Sequence, residues 1–186
     1  MTPAAPPDQA AGRLALSLAH GIDRLLVAVS VVVALTSLVV LFVSLIAEVV
    51  VRYLTNQGLG WPTELPSLLF PWLVMSGVVL AAQRGQHISV TALLAVLGRG
   101  SSRILLLLLQ ALATVTFLYL AWVGLTVLEI TAAESYPVTG ISAFWAYLAL
   151  VSGFVALGIT SITTIVRLLS AEDPMDVRVH HLEEEI

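Results

Sequence analysis

The sequence has no cysteine and no lysine, and charged residues make up only 11% of its 186 positions. Each shortage excludes something. Without cysteine there is no disulfide and no thiolate metal site. The eight basic residues are all arginines and are scattered singly, so no basic stripe can track a nucleic-acid backbone. A soluble domain carries about 25% charged residues. This chain has less than half of that, is 59% hydrophobic and has a mean hydropathy of +1.00. It has no polar face to turn to water, and a bilayer is its natural solvent. The histidines His20, His87, His180 and His181 lie outside the long apolar runs, so bis-imidazole haem ligation between helices is not expected. There is no glycine-rich phosphate loop, no metal-ligand cluster and no Ser/His/Asp constellation. Neither an enzyme nor a bound cofactor is expected.

Four stretches are free of charge for long enough to cross a bilayer, which takes about 20 helical residues. They are Leu25–Ala47, Leu65–Gln83, Ile104–Leu128 and Ile141–Val166. Inside lipid every backbone amide must be paired within its own segment, so these runs are expected as helices in spite of Val-rich patches such as Val31–Val33. The fold class is therefore an all-α integral membrane protein with four transmembrane helices. Residues 1–23 read as a Pro/Ala-rich disordered start and lead-in, residues 24–169 as the membrane domain, and residues 170–186 as an acidic, solvated tail. No cleaved signal peptide is expected, because the first apolar run is too long for one.

Arginine placement sets an expected orientation. Arg13, Arg24, Arg84, Arg99, Arg103, Arg167 and Arg178 fall on one side, and Arg52 stands alone on the other. The positive-inside rule then puts both termini in the cytoplasm. Tyr53, Trp61, Tyr136, Phe144 and Trp145 cluster at the expected outer interface, where amphipathic rings settle. In the inner loop, Ile88, Leu93, Leu94 and Leu97 mark Val90–Leu97 as a candidate interfacial helix between Gly85 and Gly98.

Several residues stand out against this background. Glu48 and Arg52 are four apart at the end of the first span, on one helical face and in the favourable order. They read as an ion pair ending the helix, as a contact to another membrane subunit, or as an ion-coupling site. Trp61-Pro62-Thr63-Glu64 opens the second span, with Thr63 as a cap and Glu64 complementing the helix dipole. Pro71 is expected to kink that helix beside Trp72. On the fourth span Ser152, Ala156, Thr160 and Thr164 recur every four residues, with Ala149 and Gly153 alongside. Small residues at that spacing let helices approach closely, either inside this bundle or against a partner. A self-sufficient transporter would carry repeats and broken helices at the midplane; neither is visible.

Taken in order, Glu48-x-x-x-Arg52, Trp61-x-x-Glu64, Trp72 and Arg84-x-x-His87-Ile88-x-Val90 resemble the small membrane subunit of tripartite ATP-independent periplasmic (TRAP) transporters. The resemblance runs from about Arg24 to Arg167. Two positions depart from the family pattern: Leu65 and Thr91 stand where acidic residues are common. The resemblance implies a secondary, sodium-coupled symporter that imports an organic acid or similar small solute. It implies three partners: a large elevator-type membrane subunit that holds the substrate and sodium sites, a periplasmic binding protein that delivers the substrate, and the membrane lipids. It also implies that Glu48, Arg52, Trp61, Glu64, Trp72, Arg84 and His87 stabilise the fold or the subunit interface without touching substrate. The competing readings are the small subunit of a tripartite tricarboxylate transporter and a self-assembling four-helix exporter that uses Glu48.

Overall fold

The computed structural model describes residues 7–55, 57–84 and 99–170. They form four α-helices: α1 (Pro7–Thr55), α2 (Trp61–Gln83), α3 (Arg99–Thr131) and α4 (Phe144–Ser170). All four are long and apolar enough to cross a membrane, and the chain is a multi-pass membrane protein. The expected interfacial helix Val90–Leu97, His87 and the acidic tail lie outside the described residues.

The helices overrun the charge-free stretches, because intrahelical hydrogen bonding does not stop where apolarity stops. α1 starts at Pro7, so residues 7–23 continue the first span as helix instead of leading into it. Proline suits a first helical position, where its missing N–H costs nothing. At about 1.5 Å per residue α1 is about 74 Å long, more than twice the ~30 Å hydrocarbon core. α2 starts at Trp61, four residues before the expected span, and passes through Pro66 and Pro71 as one helix. α4 starts later than expected, at Phe144. Residues 141–143 belong instead to a tight return: Ser135 and Ser142 form an antiparallel bridge. Tyr136 N donates to Ile141 O (2.9 Å), and Ala143 N donates to Glu134 O (3.0 Å). Gly140 turns the corner at φ 68°, where a side chain would be strained.

α4 is the axis of the bundle. It packs against each of the other three helices, α1 pairs with α2, and α3 leans mainly on α4. Of the most apolar stretch of each helix, 44% is buried in α4 against 11–17% in the others. The small residues make the close approaches. A Cβ on Gly153 would lie 2.9 Å from Met75 Cβ of α2, and one on Gly158 would lie 2.9 Å from Leu118 Cδ2 of α3. Met75, Val79 and Leu157 form the core of the α2–α4 contact, with Phe154 and Leu150 packed around them. Of the four-residue repeat on α4, Thr160 is buried, Ala156 and Thr164 are half-buried and Ser152 is exposed, while Ala149 and Gly153 alongside it are buried within the bundle.

α1 buries a different pattern. Ser30, Ser37 and Ser44 are all buried, at steps of seven, with Leu41 beside them. Small hydroxyl residues at heptad spacing let α1 lie close to its neighbours, and each hydroxyl can return to its own backbone, as Ser44 Oγ does to Leu41 O (2.9 Å). The same face carries Asp23 at one end and Glu48 at the other, both buried. These carboxylates are 25 residues apart, about 37 Å along the helix. That distance sets one at each boundary of the hydrocarbon.

Candidate functional site

The residues singled out by sequence fall at the two ends of the bundle, and the ends are built differently. At the end carrying the α1–α2 and α3–α4 loops, carboxylates hold backbone. Glu48 Oε2 accepts the N–H of Leu59 at 2.9 Å. Gly58 lies so close over the same carboxylate that any Cβ there would collide with Oε1. The loop between α1 and α2 is thereby folded back onto the last turns of α1.

This arrangement differs from one of the three readings of the Glu48–Arg52 spacing, the ion pair. Among the described residues no salt bridge joins the two. Arg52 is exposed and Glu48 is buried. The helical spacing brings the two side chains to one face, but the returning loop offers Glu48 a donor on its buried side, while Arg52 is free to reach outward.

Glu64 does the same for the second loop. Its Oε1 accepts from Val138 N, and its Oε2 accepts from Thr139 N and from Thr139 Oγ1, each at 2.8 Å. Glu64 does lie in the first turn of α2, but its carboxylate is directed across to the α3–α4 loop. Partial burial of that loop pushes the Tyr136 phenol above its ordinary range, and Tyr147 and Glu64 push it the same way. Thr63 is not the cap: Gly60 holds the cap position at φ 79° with no side-chain cap bond. Thr63 Oγ1 instead donates back to Gly60 O at 2.5 Å. Trp72 Nε1 donates to the carbonyl of Trp145 (3.0 Å), joining α2 to the first turn of α4. Trp61 is partly exposed at the α2 start. Arg84 ends α2, with its N–H on Leu80 O (3.2 Å) and its side chain exposed.

At the opposite end a carboxylate holds a charge. Asp23 of α1 pairs with the guanidinium of Arg167 of α4 through Oδ2. Its Oδ1 accepts from Thr163 Oγ1 at 2.7 Å and from Gln83 Nε2 at 3.2 Å. Gln83, the last residue of α2, also donates to Thr160 Oγ1 at 2.9 Å. Three helices meet at one buried carboxylate. Sequence reading missed this cluster: Asp23 is not singled out there, and Arg167 enters only through topology. The signal was present in the step of seven that leads from Asp23 to Ser30, Ser37 and Ser44.

The site holds no group of three His, Asp or Glu side chains suited to a metal among the described residues. Its chemistry is anchoring. The acidic side chains on the inner faces are committed to partners within the chain.

Comparison with known proteins places this architecture. Residues 41–171 match the family model described as tripartite ATP-independent periplasmic transporters, DctQ component. A functionally uncharacterized protein of Sinorhizobium fredii is 32% identical over 138 residues, which is 74% of this chain but 26% of that longer protein. A Haemophilus influenzae protein assigned to the TRAP transporter small permeases is 24% identical over 75% of this chain and 82% of its own length. The ectoine TRAP transporter small permease protein TeaB of Halomonas elongata is 22% identical over 82% of this chain and 80% of its own. The chain thus spans about a quarter of the first relative and about four fifths of the other two. Four apolar spans, Glu48 and Glu64 at their loop ends and a family match over most of the length lead to one assignment: this chain belongs to the DctQ family, the small permease subunits of TRAP transporters.

Proposed function

We propose that the chain is the fixed scaffold of a sodium-coupled symporter in a bacterial inner membrane, with both termini in the cytoplasm. A large elevator-type subunit moves against it, and a periplasmic binding protein delivers an organic acid or similar small solute. The observation that carries the reading is the commitment of Asp23, Glu48 and Glu64 to intramolecular partners at the ends of the spans. Carboxylates used this way brace helices and loops, and a brace suits a subunit that stays still. The placement of Glu48 at a helix end, on a backbone N–H, also weighs against an exporter that titrates it. Glu48, Trp61, Glu64, Trp72 and Arg84 then serve the fold, while Arg52 and His87 serve the subunit interface.

The test is purification of the tagged chain from native membranes in mild detergent, followed by mass spectrometry. The expected result is a large polytopic partner in equal amount. Uptake by vesicles holding both subunits and the binding protein is expected to follow an imposed sodium gradient. A homodimer without a larger partner overturns the scaffold reading. Uptake indifferent to sodium overturns the coupling.

A further inference from the structure

A crevice of about 230 Å³ runs between α1, α2 and α4. Leu26 and Ser30 line it on α1, Ser76 and Val79 on α2, and Ser152 and Ala156 on α4. Leu26 stands one helical turn from Asp23, Val79 one turn from Gln83, and Ala156 one turn from Thr160. Residues three or four apart share a helix face. Each wall of the crevice therefore ends in a member of the polar cluster, and all three members lie at one level. We propose that the cluster of Asp23, Gln83, Thr160, Thr163 and Arg167 is a plug that keeps water out of the crevice at that membrane boundary.

The crevice needs one. An apolar cavity stays dry unaided, but Ser30, Ser76 and Ser152 are among the residues that line this one, with room for several waters at ~30 Å³ each. Beyond it the buried column continues through Ser37 and Ser44 toward Glu48. Water admitted at the Asp23 end would have polar footholds deep into the span.

The plug is built to tie walls together. The Asp23–Arg167 pair crosses from α1 to α4, and Gln83 reaches from α2 to both. Arg167 Nε is buried with no hydrogen-bond partner. The guanidinium forgoes a bond at that nitrogen while it reaches Asp23. Its charge matters because a carboxylate without a partner in a membrane draws water to itself.

The absence of cysteine makes the test direct, since any introduced thiol is unique. S30C in the full chain, in native membranes, is treated with a small charged methanethiosulfonate. With the plug intact the thiol is expected to react slowly. Adding R167Q is expected to speed labelling about tenfold, equivalent to roughly 1.4 kcal/mol of lost local closure. Ala121→Cys, buried on α3 away from the crevice, is expected to stay unreactive in both backgrounds, which separates opening from unfolding. If R167Q exposes both thiols, D23N replaces it: Arg167 is kept, and the weakened pair is expected to speed S30C labelling by a smaller factor. The proposal is overturned if S30C reacts freely beside the intact pair. It is equally overturned if labelling is unchanged in R167Q with Ala121→Cys still protected, or unchanged in D23N.

Discussion

The two ends of this bundle use the same functional group to opposite ends. At the loop end Glu48 and Glu64 accept from neutral backbone N–H groups of segments that follow them in the chain. At the other end Asp23 accepts from a cation 144 residues away, with a hydroxyl and an amide in support. Backbone donors are lost only to proline, so the Glu48 anchor depends on one side chain, and the Glu64 anchor on Glu64 with one added bond from Thr139 Oγ1. The Asp23 anchor depends on two, and either one left alone is a buried charge. The difference teaches where the molecule is fragile: the end that looks most strongly bonded is the one with most to lose.

Substitutions can break or sharpen that contrast. The largest effect is expected from R167Q, which leaves the buried Asp23 carboxyl short of its cation. Breaking a buried pair from one side costs about 3 kcal/mol or more, and removing both partners costs much less. Thermal unfolding in detergent should therefore show R167Q well below the natural chain and D23N/R167Q recovering most of the loss. Equal losses in the single and double variants would erase the distinction between the ends.

G153A comes next. Its Cβ would press on Met75 Cβ, part of a side chain rooted in α2, and not only on the flexible Met75 Cε. Overpacking of this sort costs about 1–3 kcal/mol, whereas G158A meets Leu118 at Cδ2 and Cγ, outside its Cβ, and should fall nearer the lower figure. The same detergent melting series reads both.

E64Q should act locally. One amide oxygen cannot serve Val138 N, Thr139 N and Thr139 Oγ1 as two carboxylate oxygens do. Amide hydrogen exchange at Val138 and Thr139 is expected to quicken while exchange along α4 is unchanged. Spread of the effect into α4 would make the loop anchor as global as the Asp23 cluster.

The smallest effect belongs to Arg52. R52A should stay within about 0.5 kcal/mol, as exposed side chains do. For the same reason R52E should not rescue E48R: Glu48 answers to Leu59 N and not to Arg52. Rescue in the double variant, measured by subunit association and uptake, would restore the ion pair.

These residues also mark how far sequence reading reached. The four spans were legible because a bilayer demands long apolar runs and tolerates little else. Glu64 and Trp72 were legible as important, but not their partners, Thr139 and Trp145, which lie more than 70 residues away. The Glu48–Arg52 spacing was read correctly as one face of a helix. It misled about bonding, since helical periodicity carries no information about a loop that folds back. Residues 141–143 fall in the fourth expected helix because they are free of charge, and only the Ser135–Ser142 bridge shows them as the arm of a turn. Asp23 escaped notice because it lies just outside the charge-free run that begins at Leu25, and only the buried face through Ser30, Ser37 and Ser44 points to it.

The central position of α4 has a consequence for how the chain is made. Synthesis runs from the N-terminus, so the helix against which all the others pack is the last of the four to leave the ribosome. Until then α1 and α2 have only each other, α3 resides in the membrane without its chief neighbour, Asp23 lacks its cation, and Gly124 lacks the close contact of Val151. The bundle is finished not by the gradual addition of staves but by the arrival of its own axis.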